Sequence, residues 1–294
     1  MKQNKQNKWI WITLAILAVV VIAAAAVFLL KKPKTETPDT DSVPSAEPTA
    51  EPIPEETPEP LAEYELSEEK LNELHQELVE DQAINGDVKA ILHFNTGLVH
   101  DPVLQTTTED YYLYRDWRTH LDLSYGSIVL DSRNDLSKDE QNTIIYGHYI
   151  YEYRNPDRTL VFTPLSTMVD QSVYEKNRYV SLILNDEVRY YEVTNVFEAP
   201  LEEIDGIQYT MYGLEYNLLE YDPDYMSLYR ENINRYEYFD SGIEIEDDDR
   251  LLTLQTCIEN QHESREIVLC RELERKPLSG KEEEEYGSDQ RNNT

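Results

Sequence analysis

Leu251-Leu252-Thr253-Leu254-Gln255-Thr256-Cys257 is followed, eight residues after its cysteine, by Arg265 and the run Glu266-Ile267-Val268-Leu269-Cys270. Both stretches are rich in β-forming and apolar residues, so they read as two strands joined by the polar loop Ile258 to Ser264. That arrangement puts a thiol and a guanidinium at facing strand ends. A nucleophile with a partner for a developing oxyanion can be built in this way. For an arbitrary cysteine, burial as a small inert side chain is the competing account. Cys270, inside an apolar run, fits that account, whereas Cys257 stands among polar residues and near a cation that favours its thiolate.

Outward from this pair the same texture recurs. Val88–Phe94, Leu98–Leu104, Ser127–Leu130, Thr143–Tyr146, Tyr179–Leu184 and Val188–Phe197 are short β-rich runs, and with Leu251–Thr256 and Ile267–Leu273 they make eight strands. Short strands with polar breaks predict a mainly β sandwich or barrel rather than a parallel α/β sheet. Asn185-Asp186 reads as a tight hairpin turn. Ahead of the strands, Ser67 is an N-cap with Glu68 and Glu69 behind it. Leu71, Leu74 and Leu78 recur at helical spacing, which predicts a helix to about Glu80. The interval from Glu198 to Asp249 is too long for a structureless loop. Asp222-Pro223-Asp224 starts a second helix there, through Tyr225, Leu228, Tyr229, Ile233 and Tyr236. The tyrosines, 22 in 294 residues, read as half-buried side chains of an acidic β-protein.

The chain ends are of another kind. Residues 1–8 are a short basic segment, and from Trp9 to Leu30 there is no charge, long enough for a transmembrane helix. Residues 31–63 are rich in Pro, Thr and Glu and read as a disordered stalk. The folded domain is expected over 64–276 and an acidic disordered tail over 277–294. A short N-terminus before the span and a long acidic chain after it predict a single-pass protein of the cell membrane, N-terminus cytoplasmic and domain outside. The net charge of −33 argues against nucleic acid as a partner. Solubility alone accounts for such a charge as well as a cationic partner does. Two cysteines are no disulfide framework, and a hairpin closing near 257 and 265 leaves Cys270 roughly 16 Å from Cys257. Both are expected as free thiols.

A cysteine nucleophile needs an acid–base partner. Of six histidines, His148 stands out because it follows Thr143-Ile144-Ile145-Tyr146-Gly147, a strand ending in glycine, which allows a bend or a close approach. His262 is nearer in sequence but lies in the polar loop. No zinc, calcium, phosphate-loop or dinucleotide pattern is present, so no metal and no cofactor is expected.

Thr253-Leu254-Gln255-Thr256-Cys257 with Arg265, and Tyr146-Gly147-His148 upstream, resemble the signature of sortases, the cysteine transpeptidases of Gram-positive surfaces. Gly126-Ser127-Ile128-Val129-Leu130-Asp131-Ser132-Arg133-Asn134 and Asp240-Ser241-Gly242-Ile243-Glu244-Ile245 are similar to stretches of class B. The chain departs from the class at Tyr149, Ala90 and Glu109, and in a short Cys-to-Arg loop. The resemblance, over about residues 67 to 275, implies a closed eight-stranded β-barrel with an N-terminal helix and a helix inserted before the cysteine strand. It implies catalytic roles for Cys257 as nucleophile, His148 as general acid/base and Arg265 as oxyanion stabiliser, and substrate contacts at Leu113, Tyr146, Thr256 and Glu259. The implied partners are the sorting-signal peptide of a secreted surface protein and an amine of peptidoglycan or pilin, joined after cleavage behind a Thr. The rival readings are a cysteine peptidase using water and a catalytically silent binding module.

Overall fold

The computed structural model describes residues 61–108, 110–204, 207–210, 218–258 and 261–278. The expected membrane span at 9–30, all but the end of the stalk, and the tail beyond Leu278 lie outside the described residues, as do Glu109 and Glu259. Among the described residues no helix is long and apolar enough to cross a membrane.

Helix α1 spans Glu68–Ile84, and the Ser67 hydroxyl caps it by accepting from the Lys70 N–H at 3.2 Å. It runs past Glu80 because its last turn is held from outside. Arg118 pairs with Asp81, and the Asn85 amide donates to the Tyr112 hydroxyl and the Trp117 carbonyl. Leu74 and Leu78 are fully buried beneath it, each stabilising the fold by about 1.5–3 kcal/mol.

The strands follow as β1 (Val88–Phe94), β2 (His100–Leu104), β3 (Val129–Leu130), β4 (Asn142–Tyr146), β5 (Tyr179–Ile183), β6 (Glu187–Ile204), β7 (Ile207–Thr210), β8 (Leu251–Ile258) and β9 (Gln261–Pro277). Eight of them run β5-β1-β2-β3-β4-β8-β9-β6 around the sheet, and β6 pairs back onto β5, which closes the barrel. Closure leaves no edge strand within the ring. The pairs β2–β3 and β4–β8 are parallel and the other ring pairs antiparallel. All eight expected strands are present. The ninth, β7, is a hairpin partner for the far end of β6 inside the long interval, and sequence patterning does not separate it from its surroundings.

The lengths of β6 and β9 exceed expectation. The polar stretch read as a loop from Ile258 to Ser264 is mostly strand: β8 continues to Ile258 and β9 begins at Gln261. Polar residues continue the ladder because β6 supplies a second partner there, with Ala199 opposite Arg265 and Pro200 opposite Ser264. At its other end β9 reaches Pro277, where the tail was expected to begin, and the Leu278 N–H bonds the Asp186 carbonyl.

The barrel is filled by Leu92, Phe94, Ile145, Phe162, Val180, Val196, Leu252, Leu254 and Val268, with Cys270 among them. Outside it, α1 covers Ile91, Val188 and Tyr190, and helix α4 (Pro223–Tyr236) covers Phe197, Leu251, Ile267 and Leu269. Asp222 caps α4 as expected, accepting from the Tyr225 N–H at 2.9 Å. Two further helices are short, α2 (Asp110–Leu113) and α3 (Gln171–Tyr174), the latter behind a 3-10 turn at Thr163–Val169. Because several strands are covered on both faces, they read as apolar runs rather than clean alternations. Tyr112, Tyr190, Tyr191 and Tyr229 are fully buried, deeper than the half-buried state expected of the tyrosines.

Candidate active site

Strands β4 and β8 lie parallel and in register from Asn142 opposite Leu251 to Tyr146 opposite Gln255. The Gly147 N–H extends the ladder by one bond, to the Gln255 carbonyl at 3.1 Å. Two residues past the Tyr146–Gln255 pair the chain reaches His148 on one strand end and Cys257 on the next. Across β8 and β9, Cys257 is paired directly with Arg265. The three expected catalytic residues therefore meet on one face. Ile145 and Leu254 point into the barrel core, so by strand alternation Tyr146, His148, Gln255 and Cys257 face outward.

Gly147 is needed where it stands. A Cβ there would lie 2.7 Å from the Phe162 ring and 3.0 Å from Ile128, so close approach to the core, of the two alternatives for this glycine, is the one realised. Cys257 is half-buried and free; Cys270 is also free, but fully buried. Burial pushes the Cys270 thiol far above its ordinary pKa, mainly through desolvation.

The imidazole of His148 is half-buried, and desolvation lowers its pKa, while a hydrogen bond with the backbone of Leu113 works the other way. Nε2 has no hydrogen-bond partner among the described residues. The Leu113 carbonyl thus takes the proton of Nδ1, leaving Nε2 bare in the neutral ring. Thiol and imidazole are not hydrogen-bonded to each other in this state. The ring of Tyr114, 53% exposed, leans over His148 with centroids 5.1 Å apart. Nothing in the sequence around Tyr114 singles it out.

Gly126, which sets the Leu113 carbonyl, stands in the quoted stretch 126–134 but is given no role of its own by sequence reasoning. It has φ +50, and a Cβ there would fall 2.1 Å from Leu113 O and 2.4 Å from Tyr112 O. An isolated glycine directly before an apolar strand is the signal that could have found it.

Tyr146 donates its hydroxyl to Asp131 at 2.7 Å. Burial pulls the Asp131 pKa up, but bonds from Arg133 and Tyr146 outweigh it and hold the carboxyl below its ordinary value. The side chains of Leu113 and Tyr146 pack on one apolar cluster beside the site. Thr256 is 2% exposed and turned to the barrel-facing side of β8, with Leu252 and Leu254, away from Cys257. Arg265 is half-buried, and its Nη1 donates to the Ser264 carbonyl at 2.9 Å. Among the described residues no group of three or more His, Cys, Asp or Glu could hold a metal ion. A thiol, an imidazole whose bare nitrogen is buried and a guanidinium, each half-buried on the outward face, suit acyl transfer through a covalent thioester.

No family model matches the chain. It is 29% identical over 217 residues to the sortase B of Staphylococcus aureus, covering 71% of this chain and 82% of the relative. It is 27% identical over 201 residues to the sortase B of Listeria monocytogenes, covering 67% and 74%. Among solved structures, a Cys-to-Ser mutant form of Clostridium perfringens sortase B superposes with TM-score 0.57 at 23% identity, over 71% of this chain and 92% of that one. A Staphylococcus aureus sortase B–substrate complex gives TM-score 0.57 at 22% identity, over 70% and 93%. A sortase B complexed with triglycine gives 0.54 at 23% identity, over 70% and 95%.

Proposed function

Since the chain belongs to the class B sortases, a family of cysteine transpeptidases, we propose that Cys257, His148 and Arg265 carry its reaction. We assign it a sorting-signal peptide as acyl donor and an amine of peptidoglycan or pilin as acceptor. The observation that carries this reading is the direct pairing of Cys257 with Arg265, beside the strand end that presents His148. The relatives' complexes with a substrate and with triglycine support a peptide donor and an amine acceptor.

The Cys257 thiol passes its proton to the bare Nε2 of His148, and the sulfur attacks the carbonyl carbon of a Thr in the signal while the electron pair moves to the carbonyl oxygen. Arg265 stabilises that oxyanion by charge and hydrogen bonding. His148, protonated at Nε2, gives this proton to the leaving amine as the C–N bond breaks, and a thioester remains on Cys257. The acceptor amine then attacks the thioester and its proton passes to Nε2. Collapse of the second oxyanion forms the new amide and releases the sulfur. Through both steps the Leu113 carbonyl holds Nδ1–H, which keeps Nε2 as the working nitrogen. Leu113 and Tyr146, which pack on one apolar cluster, are assigned to the peptide as well. Glu259 is assigned to the same peptide, whereas the expected contact through Thr256 is withdrawn, because its side chain is buried on the barrel-facing side of β8.

The uncharged run from Trp9 to Leu30 anchors the protein as a single-pass span, with residues 31–63 as the stalk and the barrel outside the cell. An Asn-Pro-X-Thr-type peptide incubated with the protein, with and without triglycine, tests the chemistry. Transfer of the acyl part to triglycine supports the reading. Hydrolysis that triglycine leaves unchanged would make the protein a cysteine peptidase, and a Cys257 that no peptide or thiol reagent modifies would make it a silent module.

A further inference from the structure

Along β8 and β9 the barrel-facing pairs are Leu252–Cys270, Leu254–Val268 and Thr256–Glu266. The first two belong to the core. The third breaks the pattern by placing a hydroxyl and a carboxyl where apolar side chains are called for. Both residues are 2% exposed. Neither Thr256 Oγ1 nor Glu266 Oε1 has a hydrogen-bond partner among the described residues. A buried carboxylate in that condition is costly, whereas the neutral acid is tolerated.

On the other side of β9, Glu266 is paired with Glu198 of β6. Tyr238, past the end of α4, bonds the Val196 carbonyl through its N–H, and both glutamates act on its hydroxyl. Glu266 is thus faced by Thr256 from β8, Glu198 from β6 and Tyr238 from the segment after α4, and none of them is a cation. A second like charge directly across an antiparallel pair is destabilising.

The next pair along these strands is Cys257–Arg265, and the regular register ends immediately beyond it, between Cys257 and Ile258. The catalytic pair therefore depends on the Thr256–Glu266 pair for its spacing. The geometry points to Glu266 as a positioning residue: protonated, it lets the strand ends carrying Cys257 and Arg265 close on each other, and ionised, it forces them apart. Burial, and then Glu198, push its pKa up to about 8, so the change falls at mildly alkaline pH.

This deepens the acyl-transfer reading and rests on it. The test follows cleavage of an Asn-Pro-X-Thr-type peptide by the full chain from pH 6 to 10, for wild type and Glu266→Gln. Cleavage is counted whether the acceptor is triglycine or water, so a failure to transfer counts against transpeptidation while the Glu266 comparison still reads. The thermal midpoint is recorded over the same range, independently of activity. Wild-type kcat is expected to fall by about tenfold per pH unit above the transition. Glu266→Gln, of similar shape and unable to ionise, keeps the neutral-pH kcat within about twofold and moves the alkaline limb up by about one pH unit or more. It also removes the alkaline fall in thermal midpoint. Should the Gln variant fail to fold, Glu266→Leu, which restores the apolar pattern, takes its place with the same expected profile. Superimposable profiles for wild type and variant, in activity and in midpoint, overturn the proposal, as does a loss of kcat by the same factor at every pH.

Discussion

Gly126 lies against Leu113 so closely that a Cβ on it would fall 2.1 Å from the Leu113 carbonyl oxygen, the group that holds His148 through Nδ1. The imidazole is thus oriented by the backbone at the end of α2, and that backbone by the absence of one carbon atom. Gly126→Ala must move the carbonyl and also adopt φ +50 with a side chain, a strain of about 1–3 kcal/mol. The expected result is a melting temperature lowered by several degrees and a kcat for peptide cleavage reduced by about 10²-fold, since a small misplacement of a catalytic group has that effect. A variant with unchanged kcat would show that the Leu113 carbonyl is dispensable.

Arg265 faces Cys257 as its direct cross-strand partner. Arg265→Ala is expected to lower kcat by about 10²–10³-fold, the usual effect of removing one oxyanion donor. Arg265→Lys keeps the charge without the planar fork and should recover only part of that loss. Single-turnover acylation, followed by mass, separates this from an effect on product release.

The two thiols should differ in reactivity. In the folded protein iodoacetamide is expected to modify Cys257 and to leave Cys270, which is 0% exposed with its pKa pushed up by burial. Peptide mapping after a short exposure at neutral pH reads this directly. Equal labelling would mean that the barrel opens on the timescale of the reaction.

Acid should destabilise the barrel through His93. Burial first, and then the neighbouring His100, lower its pKa to about 4. Below its ordinary pKa of about 6.5 the unfolded chain binds a proton there that the folded chain does not. Stability from this group is therefore full above that value and is lost as pH falls toward 4, by at most about 1.4 kcal/mol per pH unit. Urea titrations between pH 7 and 4 measure the slope, and His93→Leu should reduce it. His100, which bridges His93 to Glu77 of α1, is the neighbour whose ring would then lack its Nδ1 partner.

The ring strands were legible because each is a local run of β-forming residues, and α1 and α4 because Ser67 and Asp222 announce their starts. The positions of the proposed trio were legible for the same local reason: Gly147-His148 and Cys257 each end such a run, and Arg265 opens the next. What could not be read is what depends on partners far along the chain. Closure of β5 on β6 is a matter of curvature and not of composition. Ser264 joins the ladder because β6 passes beside it, with Pro200 opposite. Gly126 and Tyr114 matter to His148 only because one loop folds back over another strand's end. Thr256, beside Cys257 in sequence, faces the opposite side of the sheet, as strand alternation requires.

The parallel pairing of β4 with β8 bears on when the enzyme becomes active. Parallel neighbours cannot be joined by a hairpin, and here all the chain between Gly147 and Arg250 intervenes. Pairings between such distant segments form late in folding. If Cys257 and His148 act as proposed, a chain only partly through its assembly carries a cysteine with no imidazole beside it. In the proposed reading, completing the barrel is what arms the nucleophile.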